Sequence, residues 1–138
     1  MNLVEIFDYQ IIPNKRISDG WLTLRAVERS DIEFIRVWRN EQMDVLRQND
    51  EISEESQIEY FEKNIWPETK KNEPNQILLS IELNGELIGY GGLVHISWLH
   101  KRAEISFLLK PELEQDHKFF CNVSNTFFIL CINWHSKI

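Results

Sequence analysis

Cysteine is nearly absent from this sequence: 138 residues contain two, Cys121 and Cys131, set in an apolar segment without paired-ligand spacing. That argues against a disulfide framework or a cysteine-built zinc site, and no metal site is expected. Buried free thiols in a reducing cytoplasm are the expectation. Long apolar runs are also missing. No stretch approaches the roughly 20 residues that a membrane span requires. The opening residues, Met1 to Asp8, lack the basic start and apolar centre of a signal peptide, so no membrane partner is expected. Positive charge is in short supply, with 15 Lys and Arg against 22 Asp and Glu for a net charge of −7. Such a surface repels phosphate backbones and disfavours nucleic-acid binding.

What remains is an ordinary globular balance, 43% hydrophobic and 27% charged, in a chain long enough for one domain with a real core. The most informative stretch is Gln76 to Lys110. Ile77, Leu79, Ile81 and Leu83 alternate with Leu78, Ser80 and Glu82, a period of two that predicts a strand. Asn84-Gly85 supplies two residues tolerant of positive φ, as a type I′ hairpin turn demands. Ala103, Ile105, Phe107 and Leu109 alternate with Glu104, Ser106 and Leu108, which closes an antiparallel meander. Gly89, Gly91 and Gly92 weaken the middle strand and need a reason: a bulge, tight packing, or clearance for a ligand.

Upstream, Trp21 to Val27 reads as a short strand. Ser30-Asp-Ile-Glu33 has the form of a capping box and opens a helix whose apolar face combines Ile32, Phe34, Ile35, Val37 and Trp38. Ser53 caps a second helix, Glu54 to about Ile65, with Ile58, Phe61 and Ile65 as its buried stripe and an acidic outer face. Pro67 to Asn75 reads as an exposed loop. His95 and His100 lie toward the far end of the hairpin, either incidental or in contact with an acceptor. Trp98 is either a pocket wall or packing on the sheet. Glu104 is the most chemical residue. A carboxylate between Ala103 and Ile105 must point at a cleft, at water or at a partner, because burying it alone is costly. Arg25 and Arg102 are the available structural partners.

The order of these pieces carries a resemblance. Leu24-Arg-Ala-Val27, then Asn84-Gly-Glu-Leu-Ile-Gly-Tyr-Gly-Gly-Leu-Val94, then Arg102-Ala-Glu-Ile-Ser-Phe-Leu-Leu-Lys-Pro-Glu112 together resemble the GNAT N-acetyltransferases. The nearest flavour is the branch holding ribosomal-protein N-terminal and amino-sugar acetyltransferases. The resemblance implies an α+β fold, a mostly antiparallel central sheet flanked by helices. It implies acetyl transfer from acetyl-coenzyme A to a primary amine of a small molecule or peptide. It places Glu104 as general base, and Phe107, Leu108 and Leu109 beside the pantetheine arm. Arg39, Asn40, Tyr90 and His95 fall where the acceptor is held; for Arg39, capping of the helix's carbonyl end is the structural alternative.

The resemblance has gaps. The family's glycine-bearing phosphate loop corresponds here to Pro111 to Phe120, which has no glycine and carries Glu112, Glu114 and Asp116. Only Gln115, His117 and Lys118 there suit a pyrophosphate. Residues 1–20 form an extra arm or edge strand. Residues 21–138 form the domain, which lacks the family's usual C-terminal strands. The helix from Phe119 to Trp134 is apolar all round beyond Phe127, which predicts a homodimer through it. A non-catalytic binding or dimerisation module, or an inactive fragment, is the competing expectation.

Overall fold

Five antiparallel strands lie side by side in chain order: β1 (Arg16–Ser18), β2 (Leu22–Ala26), β3 (Ile77–Leu83), β4 (Glu86–Ser97) and β5 (Arg102–Leu109). The protein's structure is a computed structural model that describes residues 9, 16–18, 22–46, 48–114, 116, 118–119, 121–123 and 125–127. Between β2 and β3 the chain crosses one face of the sheet as α1 (Ile32–Glu41), α2 (Met43–Leu46) and α3 (Glu54–Tyr60). A π-turn over Phe61–Ile65 and a 3-10 stretch over Trp66–Lys70 follow directly. After β5 comes the short α4 (Pro111–Glu114), then helical residues around Val123 and Phe127 on the opposite face.

The period of two in β3 sorts its side chains between two cores. Ile77, Leu79 and Ile81 join Leu22, Leu24, Ile88, Leu109, Val123 and Phe127 on one face. Leu78 joins Ile35, Trp38, Phe61, Ile65, Trp66, Tyr90 and Leu108 on the helix-covered face. The hairpin turns at Asn84 and Gly85, with φ of 51° and 82°. Both lie in the left-handed region that a type I′ turn needs.

Two bulges bend β4. Ile81 and Glu82 of β3 face Gly89 and Leu87, leaving one extra residue on β4. A second extra residue separates Val94 from Ser97 opposite Glu104 and Arg102. The β4 glycines answer to crowding. A Cβ on Gly91 would stand 2.2 Å from the Ser106 carbonyl oxygen. On Gly92, whose φ is +150°, it would stand 1.9 Å from the Ile77 carbonyl oxygen. Neither contact can be relieved by a side-chain rotation, so Gly92→Ala should cost at least about 1–3 kcal/mol through strain. The shift in urea midpoint measures it.

Several local expectations are corrected. The turn into α1 is boxed by Glu28 and Asp31 rather than by Ser30 and Glu33: the Glu28 amide donates to Asp31 Oδ2 at 2.8 Å. Arg25 and Ser80 hold Asp31 in place for this bond. In α1, only Ile35 and Trp38 are buried, while Phe34 and Val37 face outward. Ser53 does cap α3, accepting the Ser56 amide at 3.1 Å. Its buried stripe, however, is Gln57, Phe61 and Ile65, with Ile58 exposed. The wider π-turn spaces inward positions by about four residues and selects Gln57. The segment after Pro67 is no open loop. Glu68, Thr69 and Pro74 are buried, and Glu68 accepts from Lys71 Nζ and the Asn75 amide, each at 2.8 Å. Burial pushes the Glu68 carboxyl up, but those donors outweigh it and hold it below the usual range. Cys121 is exposed rather than buried, and Cys131 lies outside the described residues.

Beneath the helices, polar side chains on β2 and β3 form a buried network. Register places Arg25 opposite Ser80, and Thr23 opposite Glu82. The Arg25 guanidinium forks onto Asp31 with bonds of 2.6 and 3.0 Å, and Ser80 Oγ donates to Asp31 Oδ2 at 2.8 Å. Arg25 Nε also approaches Glu82 at 3.2 Å, and Arg16 of β1 reaches the same carboxylate at 2.7 Å. Through this network the sheet fixes the start of α1, and α1 carries one wall of the cavity described next.

Candidate active site

Between α1, α3 and the sheet lies a cavity of about 490 Å³. Its helical wall includes Ile35, Arg39, Gln57, Tyr60 and Phe61; its sheet wall includes Tyr90, Gly92, Val94, Ser106, Phe107 and Leu108. The volume sits within the range of small-molecule sites, about 300–1,000 Å³.

Arg39 and Tyr90, both expected at the acceptor site, meet here. Arg39 Nη1 donates to the Tyr90 hydroxyl at 2.7 Å. The guanidinium therefore turns into the cavity rather than back onto its helix end, where the Gln42 amide already bonds the Arg39 carbonyl. Burial pushes the Tyr90 phenol above its ordinary value, and the charge and hydrogen bond of Arg39 only partly oppose it. Tyr90 is thus a neutral phenol at physiological pH.

Glu104 is exposed and pairs with Val94, a residue of the cavity wall. Alternation along β5 puts it on the same face as Ser106 and Leu108. Neither Arg25 nor Arg102 takes it. Its ion-pair contact is His95, whose Nε2 lies 3.9 Å from Glu104 Oε2. In a regular strand His95 would face away from Glu104. The extra residue of the β4 bulge, with His95 at φ +51°, re-aims it. Both groups are largely exposed, so the pair adds little stability and leaves the carboxylate accessible.

The remaining expected residues divide. Phe107 and Leu108 line the cavity, and Leu109 is fully buried with its carbonyl accepting from Gln42 Nε2 at 3.0 Å. Asn40 is not among the lining residues. Its amide clamps the loop before α3, with Nδ2 on the Ile52 carbonyl at 3.0 Å and Oδ1 accepting the Ile52 amide at 2.8 Å. Lys118 is exposed, while Gln115 and His117 lie outside the described residues. Trp98 packs instead of lining the cavity, its Nε1 donating to the Pro74 carbonyl at 2.8 Å. His100 is exposed on the loop after β4.

Gln42, Gln57 and Tyr60 carried no signal in the sequence. Gln42 ties the end of α1 to the end of β5, and Gln57 donates to the Ile32 carbonyl at 3.3 Å. A glutamine inside an otherwise polar helix face looks solvated until the facing strand is known.

The chain belongs to the acetyltransferase (GNAT) domain family, whose model matches residues 24–129. No curated protein matches it. Solved structures do. A spermidine N-acetyltransferase from Vibrio cholerae, in complex with CoA and spermine, shares 27% identity at a TM-score of 0.63, over 78% of this chain and 62% of that one. A dodecameric form of spermidine N-acetyltransferase from Vibrio cholerae gives 27% and 0.56, over 78% and 60%. The ribosomal L7/L12 α-N-protein acetyltransferase RimL, in complex with coenzyme A, gives 19% and 0.58, over 72% and 58%, a likeness of fold alone. The chain spans less than two thirds of the length of each.

Proposed function

We propose that this GNAT domain moves an acetyl group from acetyl-coenzyme A to the primary amine of a small molecule or peptide. The observation that carries the reading is the position of Glu104. It is an accessible carboxylate paired across strands with Val94 of the cavity wall, on the strand face that leads through Ser106 to Leu108.

At neutral pH an alkyl amine is an ammonium, with a pKa of about 10, and has no lone pair to offer. Glu104, directly or through a water, takes one proton from it. His95 beside it offers that proton a path to solvent. Acetyl-coenzyme A supplies the activated thioester: a carbon–nitrogen bond forms as the carbon–sulfur bond breaks. One amine proton ends in solvent and the second on the departing thiolate. Arg39 and Tyr90 hold the acceptor, and the stretch Phe107 to Leu109 is the proposed place of the pantetheine arm.

The residues fit the two ends of the coenzyme unequally. Phe107 and Leu108 give an apolar wall for the arm. For the phosphates, Lys118 is the sole Lys or Arg among the described residues of 111–127, with Gln115 and His117 proposed beside it. Asp116 Oδ1 already accepts the Phe119 amide at 3.0 Å, taking a donor of the kind a phosphate uses at a helix start. That contact favours the second reading, a non-catalytic module that binds an amine.

Calorimetry with acetyl-coenzyme A, followed by thiol release over a panel of amines, separates the two. Coenzyme binding with acceptor-dependent release supports the transferase. Amine binding without any coenzyme binding supports the module.

Cytoplasmic placement and self-association through the Phe119–Trp134 helix belong to the same proposal. Among the described residues no helix is long and apolar enough to cross a membrane. Val123 and Phe127 are buried against the sheet, and the rest of that stretch, beyond Phe127, lies outside the described residues. The dodecamer of a relative supports assembly in general. Sedimentation at micromolar concentration should find a dimer or larger, and a monomer would remove this part of the proposal.

A further inference from the structure

We infer that the cavity selects amines that also carry a carboxylate or phosphate, and that it disfavours polyamines. The inference rests on the acetyl-acceptor reading and concerns the chemical class of the acceptor.

Its basis is the charge of the lining. Among the described residues around the cavity, Arg39 alone bears a formal charge, and no Asp or Glu lines it. In a chain with 22 acids and 15 bases, that is a notable exclusion. Three other arginines find carboxylates: Arg16 reaches Glu82, Arg25 reaches Asp31 and Glu82, and Arg36 reaches Glu33 and Glu54. Arg39 instead donates one hydrogen bond to a neutral phenol. Among the described residues no carboxylate stands in salt-bridge contact with it. A guanidinium has five N–H donors in a planar fork, so most of its capacity faces a bidentate acceptor. A carboxylate and a phosphate both offer that geometry.

The second half of the acceptor has its own place. Leu108 pairs with Tyr90, and Glu104 pairs with Val94, so the two rows are four residues apart on β5. That is about 13 Å along the strand. A ligand that reaches both therefore needs its anion and its amine set well apart. An acceptor with its anion on Arg39 and its ammonium toward Glu104 meets opposite charge at both ends. A polyamine in the same orientation puts a second ammonium against Arg39 with no carboxylate lining the cavity to balance it.

The test uses the 138-residue chain and paired probes that differ in the anion: glucosamine 6-phosphate against glucosamine, and 6-aminohexanoate against 6-aminohexanamide, with spermidine as the polyamine. Binding is measured by calorimetry, independently of turnover. The anion-bearing member of at least one pair should bind at least tenfold more tightly than its anion-free counterpart and than spermidine; which pair responds tells phosphate from carboxylate. Arg39→Gln should weaken the anion-bearing member by roughly 10- to 100-fold and leave the anion-free member nearly unchanged. If Arg39→Gln does not fold, Tyr90→Phe, which frees the guanidinium from its orienting hydroxyl, should narrow the same preference. Equal binding within both pairs, tighter binding of spermidine, or no binding of any probe overturns the inference. Anion-selective binding without acetyl transfer supports it while removing the transferase reading.

Discussion

Replacing Glu104 with Gln should lower the rate of acetyl transfer by roughly 10²–10⁴ at neutral pH, the usual contribution of a positioned general base. The substitution keeps the shape of the side chain and removes its capacity to take a proton. Because Glu104 is exposed and its ion-pair contact with His95 is long, the loss of that contact should cost almost no stability. An unchanged unfolding midpoint beside a collapsed rate is therefore the expected pair of results. The deficit should also shrink as pH rises toward the amine's own pKa, about 10, where solvent supplies the neutral nucleophile. A structural role would leave the deficit independent of pH. His95→Ala should have a smaller effect than Glu104→Gln, since it removes only the group beside the base.

The largest expected loss of stability comes from Asp31→Ala. Asp31 is 3% exposed and Arg25 is 8% exposed. Removing the carboxylate leaves Arg25 with Glu82 as its close carboxylate, shared with Arg16, and orphans the Ser80 hydroxyl and the Glu28 amide. Breaking a buried pair from one side costs about 3–5 kcal/mol. Burial by itself pushes the Asp31 carboxyl up, but Arg25, the Glu28 amide and Ser80 outweigh it and hold the group below its ordinary value. A depressed carboxylate gives stability that is complete above its unfolded pKa, about 3.9. That stability is lost as pH falls through the lower folded value. The gap between the native chain and Asp31→Ala should therefore be full at pH 7 and narrow below about pH 4. Urea unfolding at pH 7 and pH 3 measures both. A gap that does not change with pH would assign the cost to packing rather than to the ion pair.

These two residues mark how far the sequence could be read. Glu104 stood out because a charge in an apolar alternation demands an explanation from local pattern alone. Asn84-Gly85 announced its turn for the same reason: positive φ is a local property. Asp31 gave no such signal. Its importance depends on Arg25 and Ser80, which are cross-strand neighbours joined only after β2 and β3 pair across fifty residues of helix and loop. The same limit misplaced the capping box at Ser30 and Glu33: it lies at Glu28 and Asp31, and Asp31 is held there by its contacts with Arg25 and Ser80. Ile58 looked buried because a regular α-helical period was assumed through Phe61, where the chain widens into a π-turn. At the site, Arg39 and Tyr90 were each nameable, but their hydrogen bond and the exclusion of acids around them are properties of the folded cavity.

Detection of the N-acetylated amine by mass spectrometry tests the central claim most directly. The chain is incubated with acetyl-coenzyme A and the amines with and without an anion, in native and Glu104→Gln forms. The account predicts an acetylated product that accumulates with time in step with released thiol, formed at least about 100-fold more slowly by Glu104→Gln. Acetylated product formed at the same rate by both forms, or no product with any amine despite bound coenzyme, would contradict it.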